Sequence, residues 1–213
     1  MRTDVLIQQL ATELKPVQPL GRPLVRFGRW ILAAAILICL VVFLSGVRPD
    51  IATAISEPVF LIRSFLMLGV GIAAAFSAFS LAVPGTSGRW QIAIPILGTA
   101  VFLGLLAASL FSSEKFSAGI GYHCLRNVIF IGLITGALLY FMVKKAAPLR
   151  AGVVGLLGSL AAVSLANFGT QFICQHESPA HVLVWHVLPA ALLCGGGILV
   201  ARLLFRWNEN KRA

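Results

Sequence analysis

The sequence predicts an all-α fold: a bundle of six transmembrane helices preceded by a short cytoplasmic amphipathic helix. Three observations carry this reading. Of 213 residues, 59% are hydrophobic and only 11% charged, with a mean hydropathy of +0.94. A soluble domain of this size needs far more charge to cover its surface. Six apolar runs are each long enough to cross a bilayer core of ~30 Å, which takes about 20 helical residues. The connections between them are short, so nothing remains to build a separate soluble domain.

Residues 1–27 read as a head and linker. Val5, Leu6, Ile7, Leu10, Ala11 and Leu14 recur at helical spacing, with Gln8, Gln9, Thr12 and Glu13 between them. Thr3 or Asp4 can cap the start, and Lys15-Pro16 ends the helix, because the residue before a proline is pushed out of the α region. A helix this short is marginal alone in water, so its apolar face needs a partner, a lipid surface or its own bundle. Pro16, Pro19, Gly21 and Pro23 then make a linker without helix.

Residues 28–207 form the transmembrane domain, and 208–213 a tail. The spans read as Trp30–Val47, Val59–Val83, Trp90–Phe111, Leu125–Val143, Ala151–Phe172 and Val182–Phe205. The first is read as a retained helix, since mostly polar residues precede it and no small-x-small cleavage site follows. Gly28-Arg29-Trp30, Gly88-Arg89-Trp90 and Leu149-Arg150-Ala151 open alternate spans as interfacial anchors. They mark either three repeated hairpins or the general suitability of such residues at an interface. Gly132-x-x-x-Gly136, Gly155, Gly158 and Gly195–Gly197 predict close helix packing. Pro95 and Pro189 predict bends in the third and sixth spans. Cys39 and Cys194, both mid-span, read as small buried hydrophobes.

Lys and Arg counts set the orientation. Arg48, Arg63, Lys115 and Arg126 lie on one side, and the other 13 of the 17 basic residues on the opposite side. The 13-residue side is therefore cytoplasmic, with both termini inside. The net charge of +10 reads as topology plus attraction to anionic lipid. The basic residues hug span ends and form no single patch, which argues against direct nucleic-acid binding.

All four histidines, His123, His176, His181 and His186, fall on the outer side with Cys124 and Cys174. An oxidising outer compartment permits a disulfide between thiols that geometry brings together. Thiolate and imidazole also suit a transiently bound metal of the Zn, Cu or Cd type. No CxxC, HxxxH or HExxH is present, so spacing alone fixes no ligand set. Asn167, Gln171 and Cys174 make a polar stripe on the fifth span, and Asn127 lies just inside Cys124. These amides either support the cluster or join helices.

The chain resembles the NrsF-type anti-sigma factors, six-span inner-membrane proteins that hold an extracytoplasmic-function sigma factor inactive. The carriers are Met1-Arg2-Thr3-Asp4-Val5-Leu6-Ile7-Gln8-Gln9-Leu10 with Pro16 after it, the six spans, and one cysteine in each of the second and third outer loops. The resemblance implies that Cys124 and Cys174 serve a response to heavy metal or oxidant. It also implies that Thr3, Asp4, Leu6, Ile7 and Leu10 contact the sigma factor. No obligatory cofactor and no catalysis are implied.

Two other classes compete. A membrane thiol-disulfide oxidoreductase would use the same cysteines, but it usually needs a CxxC or a second outer thiol pair. A small transporter should show ionisable residues or broken helices near the midplane, and ionisable residues are missing there. A haem protein would need facing histidines within the bundle, and only His186 lies inside a span.

Overall fold

The computed structural model describes residues 3–12, 20–83, 85, 88–112, 117–146 and 148–205, and over these the chain is helical with no strand. The helices are α1 (Thr3–Thr12), α2 (Pro23–Ser45), α3 (Ile51–Ala54), α4 (Pro58–Leu81), α5 (Arg89–Phe111), α6 (Tyr122–Lys144) and α7 (Ala151–Gln171). The last long helix is composite: α8 (Pro179–Val182), a π-helical turn over Leu183–Val187, then α9 (Leu188–Leu204). Six helices are long and apolar enough to cross a membrane: α2, α4, α5, α6, α7 and Pro179–Leu204. Pro23, Pro58 and Pro179 each stand in the first turn of a helix, where the missing N–H costs nothing.

The bundle is organised around α7, most of whose residues from Val154 to Gln171 are buried. Its composition explains this position. Small residues let backbones approach where lipid offers no hydrophobic drive between helices. A Cβ on Gly155 would press on Ala201 and lie 2.7 Å from the Gly197 carbonyl oxygen of α9. A Cβ on Gly158 would lie 2.7 Å from Leu139 of α6, and one on Gly169 would lie 2.7 Å from Ile38 of α2. From α4, Gly71 faces Leu165 in the same way. Gly132 and Gly136 pack on Val163 and Ala162 of α7, as a small-residue face should. Of Gly195–Gly197, only Gly197 makes a close approach, to Ser159. By contrast, α5 buries only Pro95 and Leu106 and sits at the edge against α4. An apolar groove of about 480 Å³ runs between α6, α7 and α9, and no cysteine or histidine lines it.

Gly155→Val is expected to overpack the α7–α9 contact at a cost of about 1–3 kcal/mol. The measurement is the unfolding midpoint in detergent. Gly195→Ala, whose Cβ meets nothing within 4 Å, should leave that midpoint in place.

The first span differs from the sequence reading. It starts at Pro23, seven residues before Trp30, and so includes Arg26. Arg26 is buried because its Nη2 donates to the Met142 carbonyl of α6 and its guanidinium sits 5.5 Å from the Phe79 ring. Trp30, read as an interfacial anchor, is fully buried, with Nε1 donating to the Thr135 carbonyl at 2.9 Å. Trp90, its counterpart on α5, is 66% exposed under Arg89, so the two Arg-Trp pairs play different parts. Cys39 is also a correction: it is exposed, not buried. The inward face of α2 runs through Ala34, Ile38 and Val41, and Cys39 is turned about 100° from Ile38.

The head helix α1 spans Thr3–Thr12, with Val5 and Ile7 exposed. The side chains of Leu6 and Leu10 lie outside the described residues. So do Glu13 to Pro19, where the sequence places the helix end and linker, and the tail 208–213.

Candidate functional site

The site forms where α6 begins, α7 ends and the last helix begins. Cys124 lies in the first turn of α6 and is buried. Neighbouring helical residues point about 100° apart, so an inward Cys124 turns His123 outward. His123 is exposed, its ring 3.9 Å from that of Tyr122. Cys174 follows α7, with its N–H bonded to the Thr170 carbonyl at 2.9 Å and its thiol donating to the His176 carbonyl at 3.6 Å. His176 itself is exposed.

Ser178-Pro179 opens the last helix by ordinary capping chemistry. Ser178 Oγ accepts from the His181 N–H at 3.3 Å and donates to the Ser117 carbonyl at 3.0 Å, joining two connections. Ten residues on, Pro189 has no N–H for the Trp185 carbonyl, and its ring crowds that group. The chain responds with a wide turn, in which the Leu188 N–H reaches the Leu183 carbonyl. This replaces the simple bend the sequence predicts. A π turn stacks residue i near residue i+5. His181 and His186, which an α-helix would set about 140° apart, therefore face the same side with ring centroids 5.7 Å apart.

The connection before α6 closes the site from above. Trp185 Nε1 donates to the Ala118 and Gly119 carbonyls, both at 3.2 Å. Gly119 has φ +57°, in the left-handed region that suits glycine. A Cβ on Gly121 would strike the Trp185 ring and lie 2.7 Å from His181 Cε1, so only glycine allows this approach.

One ligand atom from each of Cys124, Cys174, His181 and His186 falls within 4.8 Å of all the others. All four residues are buried, His181 at 1% exposure and His186 at 3%. His181 Nδ1 is 2.8 Å from the Ala118 carbonyl oxygen. A carbonyl only accepts, so Nδ1 carries a hydrogen, and in the neutral ring Nε2 then presents a lone pair, 3.4 Å from Cys174 Sγ. His186 Nδ1 is 3.0 Å from Asn167 Oδ1 in the same arrangement. Its Nε2 is buried with no hydrogen-bond partner.

A charged network adjoins Cys174. Arg48 is 5% exposed and grips Asp50 through two hydrogen bonds of 2.8 and 2.6 Å. It also donates to Glu177 at 2.6 Å, and Glu177 meets Arg63 at 3.5 Å. The hydrogen bond to Asp50, with support from Glu177, raises the Arg48 pKa against burial, and the Arg48 bond lowers that of Asp50. The Cys174 thiol is held well below its ordinary range, first by a hydrogen bond from Cys124, against burial, with His186 adding to the lowering. A cavity of about 10 Å³, room for roughly one water, lies among Arg63, Gln171, Cys174 and His186.

The remaining predicted residues fall as follows. Asn127 is buried one turn beyond Cys124. Gln171 accepts from Ser64 at 3.0 Å and donates to Met67 Sδ at 3.2 Å, which fastens α7 to α4. Thr3, Asp4 and Ile7 lie on α1, which the chain connects to the start of α2, whereas the thiols lie near Arg48, past its end. Sequence reasoning passed over Arg48, Glu177, Ser178, Gly121 and Trp185. The Ser-Pro cap and the acid–base balance of the short connections were the available signals.

The family model described as Negative regulator of sigma F, NrsF, matches residues 10–207. The chain belongs to the NrsF family. It is similar to the anti-sigma-F factor NrsF of Caulobacter vibrioides (strain NA1000 / CB15N), at 26% identity over 97% of this chain and 100% of that relative. It is also similar to the probable anti-sigma-F factor NrsF of Azospira oryzae (strain ATCC BAA-33 / DSM 13638 / PS), at 24% identity over 97% of this chain and 100% of the relative. No solved structure matches the chain. The NrsF match takes in all four buried site residues and begins at Leu10, after most of the N-terminal motif.

Proposed function

We propose that the protein is an inner-membrane anti-sigma factor that holds an extracytoplasmic-function sigma factor through its N-terminal segment and releases it when Cys124 and Cys174 meet a heavy metal or oxidant. The observation that carries this reading is the buried meeting of these two cysteines, near the end of α2 opposite the one that follows the head in the chain. The family and its curated relatives support the regulatory part. The charge bias along the chain supports a cytoplasmic head and a periplasmic thiol end.

Thr3, Asp4, Leu6, Ile7 and Leu10 form the contact, an apolar helix face laid into a groove of the sigma factor. Release needs an element with two arrangements. The sixth span is the candidate, because the π turn below His181 and the open space around Gly195 and Gly196 leave it room to move. No catalytic step is assigned, and no second thiol pair exists to relay electrons: Cys39 and Cys194 lie apart on different spans.

Replacing both Cys124 and Cys174 with serine should keep repression but abolish induction of a sigma-dependent reporter by cadmium or by oxidant. An unchanged inducible response would overturn the sensing role.

A further inference from the structure

We propose that Cys124, Cys174, His181 and His186 form a closed four-ligand site for one divalent d¹⁰ metal ion of the Zn(II) or Cd(II) type. The site stands on geometry alone; that its filling is the signal rests on the function proposed above.

The first support is fit. Zn–S bonds of about 2.3 Å and Zn–N bonds of about 2.0–2.1 Å on a tetrahedron place donor atoms roughly 3.3–3.8 Å apart. The donors here all lie within 4.8 Å, and the Cys174–His181 pair is already at 3.4 Å. Closing the set takes small side-chain adjustments.

The second support is His186. A buried ring nitrogen without a partner is costly, yet His186 Nε2 points among the other donors with none. Its other nitrogen is fixed by Asn167, and that of His181 by the Ala118 carbonyl. Metal-binding histidines are oriented in this way by an outer partner on the second nitrogen.

Charge selects the ion. Arg48 and Arg63 are matched by Asp50 and Glu177, so the neighbouring network is neutral. The metal and its ligands must then balance by themselves in a buried place. Two thiolates do so with a divalent cation and leave excess negative charge with a monovalent one. On binding, any proton still held on the pair leaves to solvent, so both sulfurs reach the metal as thiolates. Thiolate and imidazole exclude magnesium, calcium and manganese, which prefer oxygen donors. Four protein ligands leave no open position, the pattern of a structural or sensing site.

The test uses the full chain in detergent. Zn(II) and Cd(II) should bind at one ion per chain, and Co(II) should give tetrahedral absorption. His181→Gln and His186→Gln should each weaken binding strongly, and Asn167→Leu by roughly tenfold to a hundredfold. His123→Gln should change nothing. In the unaltered protein, Zn(II) but not Mg(II) should protect Cys124 and Cys174 from maleimide, a readout that no misfolded variant can confuse. Failure of Zn(II) to protect the thiols, or full affinity in His186→Gln, would overturn the site while leaving thiol oxidation as a signal. A site that fills as described beside a reporter that ignores the metal would uphold the site and overturn metal sensing.

Discussion

Deleting residues 3–12 is expected to turn sigma-dependent transcription fully on and to abolish co-purification of the sigma factor, with the six-span bundle still folded. The expectation follows from the architecture. Among the described residues the core is built from α2 onward, and Val5 and Ile7 are exposed at 47% and 60%. An exposed apolar residue on a short helix gains from a partner surface. Ile7→Asp should weaken the complex by about 2 kcal/mol, roughly 30-fold in affinity, if Ile7 is a central contact of the kind that dominates such interfaces. The measurements are pull-down from membranes and a reporter in the uninduced state. Retained repression after deletion would place the sigma contact elsewhere and sink the proposed role of the head.

Trp30→Ala should be the most damaging single substitution in the membrane region. Trp30 is 0% exposed, donates to the Thr135 carbonyl at 2.9 Å and lies edge-on to Phe79 at 6.4 Å. Truncating a buried aromatic costs about 3–5 kcal/mol in soluble cores. The lower end applies here, because lipid tails are as apolar as the bundle interior and only packing and the hydrogen bond are lost. Trp30→Phe keeps most of the packing and should lose mainly the hydrogen bond, about 1 kcal/mol. Unfolding titrations of both variants check this, and equal midpoints would show that the bond, not the volume, matters.

The six spans were legible because crossing a bilayer leaves a long apolar signature that little else imitates. The start of the first span was hidden by its own charges. Arg22, Arg26 and Arg29 look like a solvated linker in sequence, and only the Met142 carbonyl and Phe79 explain how Arg26 enters the bundle. The cysteine pair was visible as two thiols in separate connections, but the choice among four histidines was not. His123 adjoins Cys124 in sequence, yet consecutive helical residues diverge. His181 and His186 are five apart, a spacing that α periodicity sends to different faces, and the π turn ahead of Pro189 restores them to one. Asn167 was readable as a polar residue facing inward, but its partner came from another helix.

Consider last the length of α6. It carries Cys124 in its first turn, offers the Thr135 carbonyl to Trp30 midway, and offers the Met142 carbonyl to Arg26 near its other end. From Cys124 to Met142 is a rod of about 27 Å at 1.5 Å per residue. Arg26 lies three residues past Pro23, where the span begins. One helix thus carries both the thiol of Cys124 and the carbonyl that receives Arg26, so the two share a single continuous element.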